Sequence, residues 1–262
     1  MNHQEQAQNV FKPLLQKFCD QTMHLQMDDN FSTVFLPHTM DQYANAKHKI
    51  FYFGRDTNSW CKTGLLRQYY ESNQLEKYME DNAAFLKEYE YLFYNNNASV
   101  GFWSLVVNLH LRLKGVKVPV KVDASFYDSE YLELMNDFGY GNTNAIEVKE
   151  SLQNQRLWNS LDIPKYLEIK EKSTQLDKLK HTLDAYHPDI VFIFNWTTDH
   201  EKFLEGLRYT VQKTNLVQGH LWVIKLLDCN TQIIWTLHPR GLPYNHLNVH
   251  KFIDIITTHV LF

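Results

Sequence analysis

Several things are scarce in this chain, and each scarcity excludes something. Only 9 glycines and 7 prolines occur in 262 residues, so long flexible linkers are not expected. The three cysteines, Cys19, Cys61 and Cys229, are widely spaced, and no pair has metal-ligand or redox spacing. An odd count without a framework fits reduced thiols in a cytoplasm, which is the expected location. No apolar run reaches the roughly 18 residues of a membrane span, so none is expected. The opening Met1 to Gln6 shows no basic stretch leading into an apolar one, so no signal peptide is expected. Gly-x-Gly-x-x-Gly, a phosphate loop and a Gly-x-Ser-x-Gly elbow are all missing. Dinucleotide, nucleoside-triphosphate and α/β-hydrolase chemistries therefore find no support. An excess of positive charge is missing too: 26 Lys and Arg face 30 Asp and Glu, for a net charge of −4. That leaves no global basic footprint for nucleic acid. One local cluster, Arg112, Lys114, Lys117 and Lys121, reads as a solvated helix end and following strand, or as a binding patch.

What is abundant is ring-bearing side chains. Aromatics reach 14%, so the core is expected to be large and ring-rich. The length suits one large α/β domain or two small ones, and a single domain over 1–262 is expected, with a helical extension over 1–47. Helical spacing covers about Gln8 to Leu25, where Pro13 belongs near the first turn. Further helices are expected over much of Leu65 to Tyr94, over Gly101 to Leu113, Lys165 to Tyr186 and Val249 to Val260, with another starting at Glu201 to Leu207. Asn30 to Asp41 reads as loop. Strands are expected at Ile50 to Gly54, Pro188 to Trp196, Leu221 to Leu227 and Gln232 to Leu237, the last two joined as a hairpin. Gly139, Gly141 and Asn142 read as breakers, with a short strand at Ala145 to Val148. Strands alternate with helices, so the expected fold is α/β: a central, largely parallel sheet flanked by helices.

Two segments about 180 residues apart carry most of the chemistry. Ile50-Phe51-Tyr52-Phe53 runs into Gly54-Arg55-Asp56-Thr57-Asn58-Ser59-Trp60. Ile233-Ile234-Trp235-Thr236-Leu237 runs into His238-Pro239-Arg240-Gly241. Each is an apolar run that stops at polar residues, as buried strands do. In open α/β sheets, ligands sit beyond the carboxyl ends of such strands. Asp56, Asn58 and His238 are thus candidates to share one site.

These motifs, in this order and in these strand contexts, resemble the uracil-DNA glycosylase superfamily. That family has a Gly-x-Asp-Pro-type motif after its first central strand and a His-Pro-Ser-type motif after its last. Gly54-Arg55-Asp56 and His238-Pro239-Arg240 stand in those places, and Phe194-Asn195 ends a strand between them. Asn142 or Asn144 falls where the family often has a base-reading Asn. The chain departs from the pattern at Thr57-Asn58 and at Arg240-Gly241.

The resemblance implies hydrolysis of the bond between a sugar and a flipped base. Asp56 would orient water and stabilise the sugar cation, and a neutral His238 would donate to the leaving base. Asn142 or Asn144 would read the base edge, and Trp60 or Phe102 would stack on it. Asn58, Asn195 and Arg240 complete the candidate binding residues. No cofactor and no metal are expected. The expected partner is DNA or a nucleotide. The alternative is a catalytically inactive binding module of the same fold, holding a nucleotide or a protein partner.

Bland roles stand beside these. Asp56 would serve equally as a helix N-cap, His238 as a hydrogen-bonded strand-end histidine, Asn142 and Asn144 as turn residues, and Trp60 and Phe102 as core. A rival metal site would use His246 and His250, four apart, but the Glu of the HExxH pattern is missing.

Overall fold

The computed structural model describes residues 3–25, 34–54, 65–84, 100–122, 126, 130–146, 163–196 and 200–259. Its centre is a seven-stranded sheet: β1 (His38–Thr39), β2 (Ile50–Gly54), β3 (Phe138–Asn142), β4 (Ile190–Phe194), β5 (Tyr209–Thr214), β6 (Leu221–Leu226) and β7 (Gln232–Thr236). The spatial order is β1-β3-β2-β4-β7-β6-β5. The four middle strands, β3, β2, β4 and β7, are mutually parallel. Antiparallel strands flank them, β1 on one side and β6 then β5 on the other. The expectation of a largely parallel sheet is therefore corrected to a mixed one. The hairpin that joins β6 to β7 and the edge pairing of β5 supply antiparallel strands that need no helical crossover.

Helices cover both faces. On one face lie α1 (His3–Thr22), α6 (Ile163–Asp177) and α7 (Leu179–Tyr186), over Phe51, Phe53, Val191, Ile193, Ile233 and Trp235. On the other lie α4 (Val100–Leu113) and α9 (Val249–Thr257), over Tyr52, Phe138, Tyr140, Phe192, Phe194 and Ile234. Shorter helices are α2 (Leu65–Glu71), α3 (residues 75–84), α5 (Tyr131–Leu134) and α8 (His200–Phe203). The middle strands β2 and β4 are buried at every position, as expected of strands covered on both sides. That is why they read as unbroken apolar runs. Among the described residues, no helix is long and apolar enough to cross a membrane.

Strand β3 overturns the sequence expectation for its region. The strand is Phe138-Gly139-Tyr140-Gly141-Asn142, and Ala145 and Ile146 lie outside it. Its glycines are opposite Phe51 and Phe53 in register. A Cβ on Gly139 would overlap the Phe51 ring, and one on Gly141 would stand 2.8 Å from Phe53 Cε1. The glycines make room for the large rings of β2 rather than breaking the strand.

Smaller corrections follow from packing. Pro13 sits inside α1, not in its first turn. An interior proline costs a helix about 3 kcal/mol, offset here by burying Ala7, Phe11, Leu15, Phe18 and Cys19. The expected single helix over Lys165 to Tyr186 is two, broken at Lys178, whose backbone is extended (φ −60°, ψ 127°). The two-residue β1 lies in the expected loop. Strand β5 follows a one-turn α8 where a longer helix was expected.

Candidate active site at the carboxyl edge of the sheet

The connection from β2 leads outward to β3 on one side, and the connection from β4 leads to β5, at the far edge of the other side. The chain thus changes direction between β2 and β4. A crevice opens at such a switch point, beyond the carboxyl ends of the strands. All four parallel strands end at this edge, with Asn142 closing β3, Gly54 closing β2, Asn195 following β4, and His238 two residues past β7. Asp56, Asn58 and Trp60 lie outside the described residues; β2, which leads to them, stops at Gly54.

Gly54 is the point of closest approach. A Cβ there would stand 2.8 Å from Asn142 Oδ1 and 3.4 Å from Phe102 Cε2. An amide and an aromatic ring therefore meet against a bare Cα. Phe102 comes from the first turn of α4. Its ring lies nearly parallel to the His238 imidazole, with centroids 6.3 Å apart and planes at 13°. Phe102 and His238 are both half-buried, as is Asn142. Three sequence candidates, Asn142, Phe102 and His238, are thus brought together.

The protonation geometry of His238 follows from its local fold. Pro239 starts a 3-10 turn over Pro239–Gly241, with His238 as its N-cap. The backbone N–H of Arg240 donates to His238 Nδ1 at 3.2 Å. A neutral imidazole that accepts at Nδ1 carries its proton on Nε2, where it is a donor. Arg240 itself is exposed.

Two other candidates are structural. Asn195 is 1% exposed, its amide donates to Thr143 Oγ1 at 2.6 Å, and its carbonyl accepts from Trp235 Nε1 at 2.9 Å. It ties the end of β4 to the segment after β3 and to β7. Asn144 Oδ1 accepts from Lys170 Nζ at 3.0 Å, which also donates to the Ile146 carbonyl at 2.6 Å. That lysine from α6 fixes the turn after β3.

The rival constellations are not assembled. His246 lies outside α9 in a left-handed conformation, while His250 is within the helix, so the two do not share a helical face. Among the described residues, no group of three or more His, Cys, Asp or Glu is placed to hold a metal ion. In the basic cluster, Arg112 faces Asp254 at 3.4 Å and Lys114 binds Asp137 at 2.6 Å. The charges of Arg112 and Lys114 are therefore engaged within the chain. Sequence reasoning missed Tyr244, five residues past Pro239 and 86% exposed. It also missed the close approach at Gly54, although a glycine closing an apolar run was the available signal.

Compared with protein-family models, with curated proteins and with solved structures, the chain matches none.

Proposed function

We propose that this chain is a nucleic-acid base glycosylase of the uracil-DNA glycosylase type, which hydrolyses the N-glycosidic bond of a flipped base. The observation that carries this is the convergence of the Asn142 amide, the Phe102 ring and the His238 imidazole around Gly54, at the switch point of the sheet. Breaking the bond leaves its electron pair on the base and positive charge on the sugar. A donor aimed at the leaving base stabilises the first, and Nε2–H of His238 supplies it. A carboxylate stabilises the second and takes the proton of the attacking water; Asp56, two residues beyond Gly54, has that role. The Asn142 amide offers one donor and one acceptor to a base edge. Phe102 offers a flat apolar face, and exposed Arg240 a contact for phosphate.

The test is release of base from uracil-containing single- and double-stranded DNA. The parent is expected to release it. Asp56→Asn is expected to slow release strongly while binding stays nearly intact, because the carboxylate acts on charge that develops only in the transition state. If both Asp56→Asn and His238→Ala match the parent rate, these roles are wrong. If the parent releases no base from either substrate, hydrolysis is refuted. The same cluster would then serve a binding module for a nucleotide or protein partner, as the departures at Thr57-Asn58 and Arg240-Gly241 favour.

A further inference from the structure

A cavity of about 570 Å³ lies among the described residues, away from the carboxyl edge. It lies between the first half of α1, the segment 36–44 that contains β1, and the last turns of α3. Tyr186, which precedes β4, closes one side. The cavity therefore sits toward the amino ends of the parallel strands. Strand β2 alone, at about 3.3 Å per residue, separates that end from Gly54 by roughly 13 Å. A volume of this size is in the range of small-molecule sites, roughly 300–1,000 Å³.

Its wall combines an apolar body with a few polar groups. Phe11, Tyr186, Met40 and Met79 supply rings and soft thioethers. Asn82 also lines the cavity and is only 8% exposed, yet no hydrogen bond to its amide is seen among the described residues. His3 lines it too, and its Nδ1 is buried without a hydrogen-bond partner among them. Buried polar atoms are normally satisfied, so the buried His3 Nδ1, together with an Asn82 amide that lines the cavity and makes no hydrogen bond among the described residues, points to a partner that occupies it. The charge of the wall says which kind. Asp41 and Glu80 are in it, and no Lys or Arg is among its described residues. One helical turn back, Lys12 on α1 is taken by Glu76. Among the described residues, Glu80 meets only the neutral amide of Gln8, at 3.2 Å.

We infer that this cavity is a second binding site, for a small organic cation: an apolar or aromatic body carrying a protonated amine. The ammonium N–H groups go to Glu80 and to the carbonyl of the Asn82 amide. The body fills the space between Phe11, Met79 and Tyr186. An anion is disfavoured by the Glu80 carboxylate, which faces only a neutral amide among the described residues. The site is independent of the glycosylase assignment.

Three isosteric probes test it by calorimetric or NMR titration of the full chain: phenethylammonium, 2-phenylethanol and phenylacetate. The cation is expected to bind one per chain, and the anion not at all. Glu80 is exposed, so Glu80→Gln leaves the fold intact. It is expected to weaken the cation about fivefold, the size of a solvent-screened charge contact. Asn82→Ala is expected to weaken it about tenfold, while His238→Ala leaves it unchanged. Binding of the alcohol or the acid as tight as that of the amine would overturn the inference. So would no binding of any probe, an amine affinity indifferent to both Glu80→Gln and Asn82→Ala, or one lowered by His238→Ala.

Discussion

Helix α4 touches two imidazoles in opposite situations. Near its start Phe102 stacks on His238, which is half-buried at the edge of the sheet. Two turns on, the helix itself carries His110, only 1% exposed. His110 Nε2 donates to Asp137 Oδ1 at 2.8 Å, and Tyr52 Oη donates to His110 Nδ1 at 3.0 Å. Lys114 holds the other oxygen of Asp137 at 2.6 Å. The geometry of His110 and Asp137 is that of an ion pair, but burial decides the charge. Desolvation lowers the His110 pKa, and the neighbouring carboxylate does not undo this. The contact is therefore a neutral N–H to a carboxylate. Burial also works against the charge on Asp137, yet the hydrogen bonds from His110 and Lys114 outweigh it, and its pKa is lowered. The buried imidazole, carried on α4, has both nitrogens committed, one to β2 and one to the approach to β3, so its chemistry is consumed by the fold. The edge imidazole is set by a single short turn, which orients a donor at the crevice. Burial and the identity of the partners, not residue type, separate a histidine consumed by the fold from one left at the edge of the sheet.

The largest effects should divide between the two. His110→Leu removes one partner each from Tyr52 and Asp137, in a site with little access to water. Breaking such a buried contact costs about 3 kcal/mol, read as a lower urea midpoint at unchanged slope. Base release per folded molecule should stay at the parent value. His238→Ala should do the reverse, slowing release on the order of a hundredfold, as loss of one leaving-group donor does. Its stability should shift by less than about 1 kcal/mol, the usual size of a cap contact. If His238→Ala destabilises as much as His110→Leu, the comparison fails and His238 is structural.

A smaller effect separates them by pH. The folded-state pKa of His110 lies below its ordinary value because of burial. In the range between the folded and ordinary values, the unfolded chain binds more protons. The contribution is thus fully present above about pH 6.5, the ordinary value, and is lost as pH falls through the folded pKa. His3 and His181 are lowered in the same direction, burial first in both, so the parent curve reports all three. Subtracting the curve of His110→Leu isolates one. A variant curve parallel to the parent's as pH falls below about 6.5, the ordinary histidine value, would show that His110 is not held neutral.

Those differences also mark what the sequence could disclose. The buried strands β2 and β4 were legible because both faces are covered and every residue is apolar. The carboxyl-edge position of His238 followed from where such a run stops. Strand β3 was not legible, because its glycines are explained only by Phe51 and Phe53 on a strand about 90 residues earlier. Likewise nothing local in Asn195 distinguishes a base reader from a brace. Its role is decided by Thr143 and Trp235, which the fold delivers from the segment after β3 and from β7. The His110 network was missed for the same reason, since Tyr52, His110 and Asp137 meet only in three dimensions.

The smallest expected effect falls on the ring between the two histidines. Phe102→Leu keeps an apolar side chain in the first turn of α4 but removes the flat face parallel to His238 and the edge contact to Phe194, whose centroid is 6.2 Å away. Aromatic pairs of this kind contribute about 1 kcal/mol beyond area burial, and a half-buried position limits the remaining loss. The informative quantity is how this is divided. If Phe102 stacks on a bound base, the substitution removes binding shared by ground and transition states, so KM should rise about fivefold with little change in kcat. If it only positions His238, kcat should fall while KM holds, and His238→Ala should abolish the difference between Phe and Leu at position 102. A loss confined to stability, with both kinetic constants unchanged, would place Phe102 in the core with Phe194 and remove it from the site.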